Sequence, residues 1–163
     1  MTSIRIYALI NLHMKSARRV EGFTLIELLV VIGILAVLLA ITLIAINPAR
    51  QFSQANNTKR SSDVNAILNA VGQYAADNKG ALPTGITTTT QTISNTAANI
   101  CASLVPQYIA ALPVDPLTNN GTAITNCTAA YNTNYTIIKS STDNRITVTA
   151  PAAELSATIS ASR

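Results

Sequence analysis

Residues 23–46, FTLIELLVVIGILAVLLAITLIAI, form an apolar run of 24 residues broken only by Thr24, Glu27, Gly33 and Thr42. As a helix rising 1.5 Å per residue it would be about 36 Å long, enough to cross a hydrocarbon core of about 30 Å with some tilt. Such a run is no single face of a soluble helix, because it is apolar all round. It also exceeds the core of a secretory signal, which spans about 7–15 residues and ends at a small-x-small cut that is missing here. A membrane helix is therefore expected, and the rest of the chain is read around it. Glu27 is the anomaly. A carboxylate inside hydrocarbon is costly, so it needs a partner or a purpose.

Charge is distributed to suit this reading. Charged residues make up 11% of the 163-residue chain, against roughly 25% in an ordinary soluble protein. The net charge of +4 arises mainly from Arg5, Lys15, Arg18 and Arg19, which precede the apolar run and are opposed only by Glu21. From Phe23 onward seven basic and six acidic residues nearly cancel. The excess flanks a membrane segment, so it does not indicate a nucleic-acid binder. Counting basic residues on the two sides gives almost a draw for orientation. The short leading segment and the cysteines on the carboxyl side favour an amino end that stays inside. Residues 1–13, MTSIRIYALINLH, lack the form of a leader, whereas MKSARRVEG from Met14 is compact and basic. Met14 is the expected true start.

Beyond the run lies Asn47-Pro48. Proline removes a helical hydrogen bond and pushes its predecessor from helical dihedrals. The helix either kinks there, or ends and restarts with Asn47 as cap and Pro48 in the first turn. Val64, Ile67, Leu68, Val71, Tyr74 and Ala75 then recur at spacings of three and four, an amphipathic stripe. NNTKRSSD, residues 56–63, is the weak part, since Asn, Ser and Thr compete with helix formation. One long imperfect helix from Phe23 to about Asn78 is expected, with Gly80 as its stop. Residues 81–99 read as a Thr-rich loop, and 100–112 as containing a short helix. The runs 131–139, 145–150 and 154–160 alternate as half-buried strands do, with SSTDN at 140–144 supplying a turn.

Cys101 and Cys127 are the only cysteines. Outside the cytoplasm they would form one disulfide; otherwise they are two buried thiols. No catalytic constellation, phosphate-binding glycine loop or metal-ligand cluster stands out, and the single histidine, His13, precedes the membrane segment. No enzyme activity, cofactor or metal is assigned.

A short basic leader followed by Gly22-Phe23-Thr24-Leu25-Ile26-Glu27-Leu28-Leu29 resembles the class III signal of bacterial type IV pilins and of the pseudopilins of type II secretion. The likeness is tight over residues 15–46 and only general beyond, through PQYIAALPVDPLTNNGT and the Tyr-containing strands. The resemblance implies a cut between Gly22 and Phe23 by a membrane-embedded prepilin peptidase, then N-methylation of Phe23. It makes Gly22 and Phe23 the processing residues and Glu27 the assembly residue. Glu27 would neutralise the new amine at Phe23, its own or that of a neighbouring subunit, where pairing selects the stagger between helices; the plainer alternative is a carboxylate that snorkels. In major pseudopilins the loop corresponding to VDPLTNNGT binds calcium, but Asp115 alone is thin support for the several oxygens calcium takes.

The expected fold class is α+β and pilin-like, a long amino-terminal helix packed on a small carboxyl-terminal antiparallel sheet. Residues 1–22 would be a removed leader, 23–46 the transmembrane and assembly helix, 47–79 its amphipathic continuation, and 80–163 a globular head. The function implied is a type IV pilus (fimbrial) subunit. It would be held in the inner membrane with its head outside the cytoplasm, then carried into an extracellular filament. Partners implied are further copies of the chain, the peptidase, the inner-membrane assembly platform with its ATPase, and membrane lipid. DNA or host-surface binding has no residue-level support. The alternatives are a pseudopilin of a secretion or DNA-uptake system, and a binding domain on a plain single-pass anchor.

Overall fold

The computed structural model describes residues 22–163. The basic leader, His13 and the expected start at Met14 lie outside the described residues. Helix α1 runs Leu25–Ile46 and is followed by α2, Pro48–Asp77. Among the described residues α1 is the one helix long and apolar enough to cross a membrane, and none of its side chains is buried by its own chain. Thr42 turns its hydroxyl onto the Leu39 carbonyl at 2.9 Å. That bond lets a polar side chain sit in an apolar run without an orphaned donor.

The backbone takes the cap-and-restart course at Asn47-Pro48. Asn47 adopts a left-handed conformation, φ 47°, and its side chain accepts from the Arg50 N–H at 3.3 Å. Asn tolerates that region better than most residues. Pro48 follows in the first helical turn, where a missing N–H costs nothing. At the other end Gly80, φ 89°, donates to the Ala75 carbonyl at 2.7 Å and closes α2.

α2 and the remaining residues form one unit, Ile46–Arg163, separate from α1. Strands β1 (Gln91–Ser94), β2 (Asn132–Lys139), β3 (Ile146–Ala150) and β4 (Ile159–Ser162) make an antiparallel meander in chain order. β2 and β3 bury every second residue: Thr133, Tyr135 and Ile137, then Ile146, Val148 and Ala150. This face joins the Val64, Ile67, Leu68 and Val71 stripe of α2 in one core, with Ile93, Ile100, Leu104 and Leu112. A short helix α3, Cys101–Leu104, carries Cys101, which is bonded to Cys127 with Cα atoms 5.4 Å apart.

Three expectations need correction. β1 lies inside the supposed Thr-rich loop, where Ile93 is its one fully buried apolar side chain. A four-residue strand with a single apolar inward position leaves no alternation to detect. The one long helix expected from Phe23 to about Asn78 is two, Leu25–Ile46 and Pro48–Asp77, because Asn47 is left-handed ahead of Pro48; the short helix expected within 100–112 is α3. The strand expected at 154–160 begins only at Ile159, after Leu155 and Ser156 in left-handed conformations, φ 57° and 56°.

That detour delivers Glu154 to α2. Arg60, wholly buried, donates through Nε and Nη2 to the two oxygens of buried Asp115, at 2.6 and 3.3 Å. Its Nη1 donates to Glu154 Oε2 at 2.7 Å and to Asn57 Oδ1 at 3.0 Å. Glu154 also accepts from the Ser53 hydroxyl and the Asn56 amide, each at 2.9 Å. Beside this cluster the Tyr135 hydroxyl donates to Asp63 at 2.9 Å; burial, reinforced by Asp63, pushes that phenol up. The weak segment NNTKRSSD is thus helical because tertiary contacts occupy its polar side chains.

Two predictions follow from these contacts. The disulfide spans 26 positions in sequence, so replacing Cys101 and Cys127 with Ala should cost about 3.5 kcal/mol in the chain-entropy picture, measured by denaturant unfolding. A loss below 1 kcal/mol, roughly, would refute it. The Glu154 carboxyl is held below the ordinary glutamate range, first by Arg60, then by Asn56 and Ser53, against desolvation. A depressed carboxylate stabilises the fold above its unfolded value of about 4.3 and loses that contribution as pH falls through its folded value. Glu154→Gln should therefore flatten the acid limb of stability below about pH 4.3; thermal melts showing an unchanged limb would contradict this.

Candidate processing and assembly site

The start of α1 is organised by two side chains. Thr24 is the residue just before the helix and Glu27 its third residue. Glu27 Oε2 accepts from the Thr24 backbone N–H at 2.7 Å and from the Thr24 hydroxyl at 2.8 Å. The Thr24 hydroxyl oxygen in turn accepts from the Glu27 N–H at 3.3 Å. This is a capping box, in which two donors that a helix start leaves orphaned are satisfied reciprocally. Side chains on a helix lean toward its amino end, which directs Glu27 back toward residues 23 and 24. Negative charge in the first turn also suits the positive end of the helix dipole.

The sequence reading marked Glu27 but passed over its bond to Thr24. The signal was there, since a Thr three residues ahead of a Glu at the head of an apolar run is the capping-box pattern. Both strong bonds fall on Oε2; among the described residues Oε1 has no hydrogen-bond partner. One oxygen fastens the helix start.

Residues 22–24 precede the first helical residue. The Gly22–Phe23 peptide bond therefore lies in non-helical backbone, where both flanking residues are exposed. A Cβ placed on Gly22 would meet nothing within 4 Å. Packing among the described residues does not require glycine here. Phe23 exposes 82% of its surface. An aromatic that open, next to an unhindered glycine, is accessible to a cleft that binds extended backbone.

Residues 17–43 match the family model for the prokaryotic N-terminal methylation motif. The chain carries the class III signal motif of type IV pilins. The motif supports a precursor of pilin or pseudopilin kind, and points to a structural subunit rather than an enzyme. It implies cleavage by a prepilin peptidase and assembly into a filament. Together with α1 it fits membrane anchoring before assembly. Comparison with curated proteins and with solved structures found no match.

The calcium notion at Asp115 does not survive the geometry. Both carboxylate oxygens face the Arg60 guanidinium, and Oδ1 also accepts the Leu117 N–H at 3.0 Å. A buried carboxylate neutralised by arginine is a poor start for a divalent site. Among the described residues no group of three His, Cys, Asp or Glu side chains could hold a metal.

Thr24→Val removes the hydroxyl that both accepts from and donates to Glu27. Loss of such a cap costs about 1 kcal/mol. Amide exchange at Ile26 and Glu27 in the lipid-embedded chain should accelerate about fivefold, whereas residues near Val37 should be unchanged. Equal exchange at both places would show that the box does not fasten the helix.

Proposed function

We propose that this chain is a subunit of a type IV pilus, cut between Gly22 and Phe23, N-methylated on Phe23, and assembled through α1. The observation that carries this reading is the motif match over residues 17–43, joined to a helix that buries no side chain in its own chain. An apolar cylinder of this sort is satisfied by lipid or by identical cylinders. Residues 1–22 serve as the leader, 23–46 as the membrane and assembly helix, 47–79 as its continuation, and 80–163 as the head.

Cleavage turns the Phe23 peptide nitrogen into an ammonium, and methylation leaves it basic. A cation then stands within a helical turn of a carboxylate whose Oε1 is unengaged. Within one subunit the capping box keeps Oε2 occupied and leaves Oε1 for a cation. The Phe23 amine of a neighbour takes that oxygen during assembly, so a helix arriving out of register leaves two unpaired charges in hydrocarbon. The peptidase, the inner-membrane platform and its ATPase act before and during this step, and lipid surrounds α1 beforehand. The finished filament stands outside the cell. Engagement of Asp115 by Arg60 favours the pilus over a secretion pseudopilus, since likeness to the latter carries an expectation of calcium at that loop.

Mass spectrometry of the mature amino terminus is expected to find N-methylated Phe23. Glu27→Val should still insert into the membrane yet yield few or no fibres on the cell surface. A mature chain that retains its leader, or normal fibres from the variant, would refute the proposal; fibres confined to the periplasm would favour the pseudopilin.

A further inference from the structure

The unit that follows α1 contains a groove lined by α2, the segment after it and the sheet. Its volume is about 630 Å³, within the range of roughly 300–1,000 Å³ common to small-molecule sites. Leu68 and Val71 of α2 form one side, and Leu82 and Ile86 of the segment after it form another.

Its polar side is built by strand register. Lys139 of β2 is directly opposite Ile146 of β3. Ile146 exchanges both backbone hydrogen bonds with Arg163, at 2.8 and 3.0 Å. Residues opposite one another across a sheet project to the same face. Ile146 is buried toward α2, so Lys139 and Arg163 flank it on the groove side. Arg163 is steadied there by Asn69, whose side-chain oxygen accepts from Nη1 at 2.8 Å. No Asp or Glu side chain lines the groove, and among the described residues neither Lys139 nor Arg163 forms an ion pair with an Asp or Glu. The two cations stand on either side of Ile146, one strand away from it each, so an anion lying over that position is attracted by both.

Gly72 supplies an independent observation. It lies in α2 at the groove. Glycine is the least favourable helix-interior residue after proline. A Cβ built at Gly72 meets nothing within 4 Å, so no close-packed neighbour demands its absence. The missing side chain leaves the groove open.

We propose that this groove binds a small amphipathic anion, an aryl or alkyl carboxylate. The apolar body lies on Leu68, Val71, Leu82 and Ile86, and the carboxylate faces Lys139 and Arg163. The site is independent of how α1 is processed. The test is equilibrium dialysis of 2-naphthoate against the full chain in lipid nanodiscs, with empty nanodiscs as the blank, together with methyl NMR of Leu82 and Ile86. Saturable binding is expected, with shifts at both methyl groups. Lys139→Gln should weaken binding about tenfold, and the neutral 2-naphthalenemethanol should bind weaker by a similar factor. Gly72→Leu, which raises helix propensity and grows into open space, should abolish binding without harming the fold. Uptake no greater than the lipid blank, undiminished binding to Gly72→Leu, or inorganic phosphate competing as well as the carboxylate would each overturn the proposal.

Discussion

Arg60 is the pivot of the folded unit Ile46–Arg163. A buried guanidinium is tolerable only if its donors are met and its charge is balanced. Here the balancing groups come from segments far along the chain, Asp115 and Glu154. Each carries a stretch of irregular backbone onto α2. The core of a unit this small is limited, so where those stretches dock is set as much by ionic pairing as by apolar contact. Burying ions is no efficient source of stability. Removing Asp115 from this docking would leave the Arg60 charge without its buried partner.

α1 obeys the opposite constraint. Its backbone is satisfied internally, and its side chains ask only for an apolar surrounding. Nothing in its all-round apolar surface selects one partner orientation. The polar instruction is concentrated at one end, in Thr24 and Glu27. The Glu27 carboxylate orders the helix start through Thr24 and puts a negative charge there.

Much of this was legible in the sequence, for physical reasons. The membrane helix rests on length and hydropathy, which need no tertiary knowledge. The α2 stripe and strands β2 and β3 were visible because their burial follows strict periods of 3.6 and two. What escaped was aperiodic. β1 has too few residues to display a period. Glu154 looked like part of a strand, and only the positive φ of Leu155 and Ser156 reveals that the chain swings aside to reach Arg60. Arg60 itself sat in a segment that local propensity marked as poor helix. At the start of α1, Glu27 stood out as the lone acid of an apolar run and Gly22 and Phe23 were picked out through family likeness, whereas the Thr24 contact needed only the spacing T-x-x-E.

The break at Asn47 also bears on depth in the bilayer. The last carbonyls of any helix lack partners within it, and Pro48 has no N–H with which to continue the ladder past Ile46. Those oxygens must find water or headgroups, because hydrocarbon offers no donor. In a bilayer, the carboxyl end of α1 would consequently be a waterline written into the backbone.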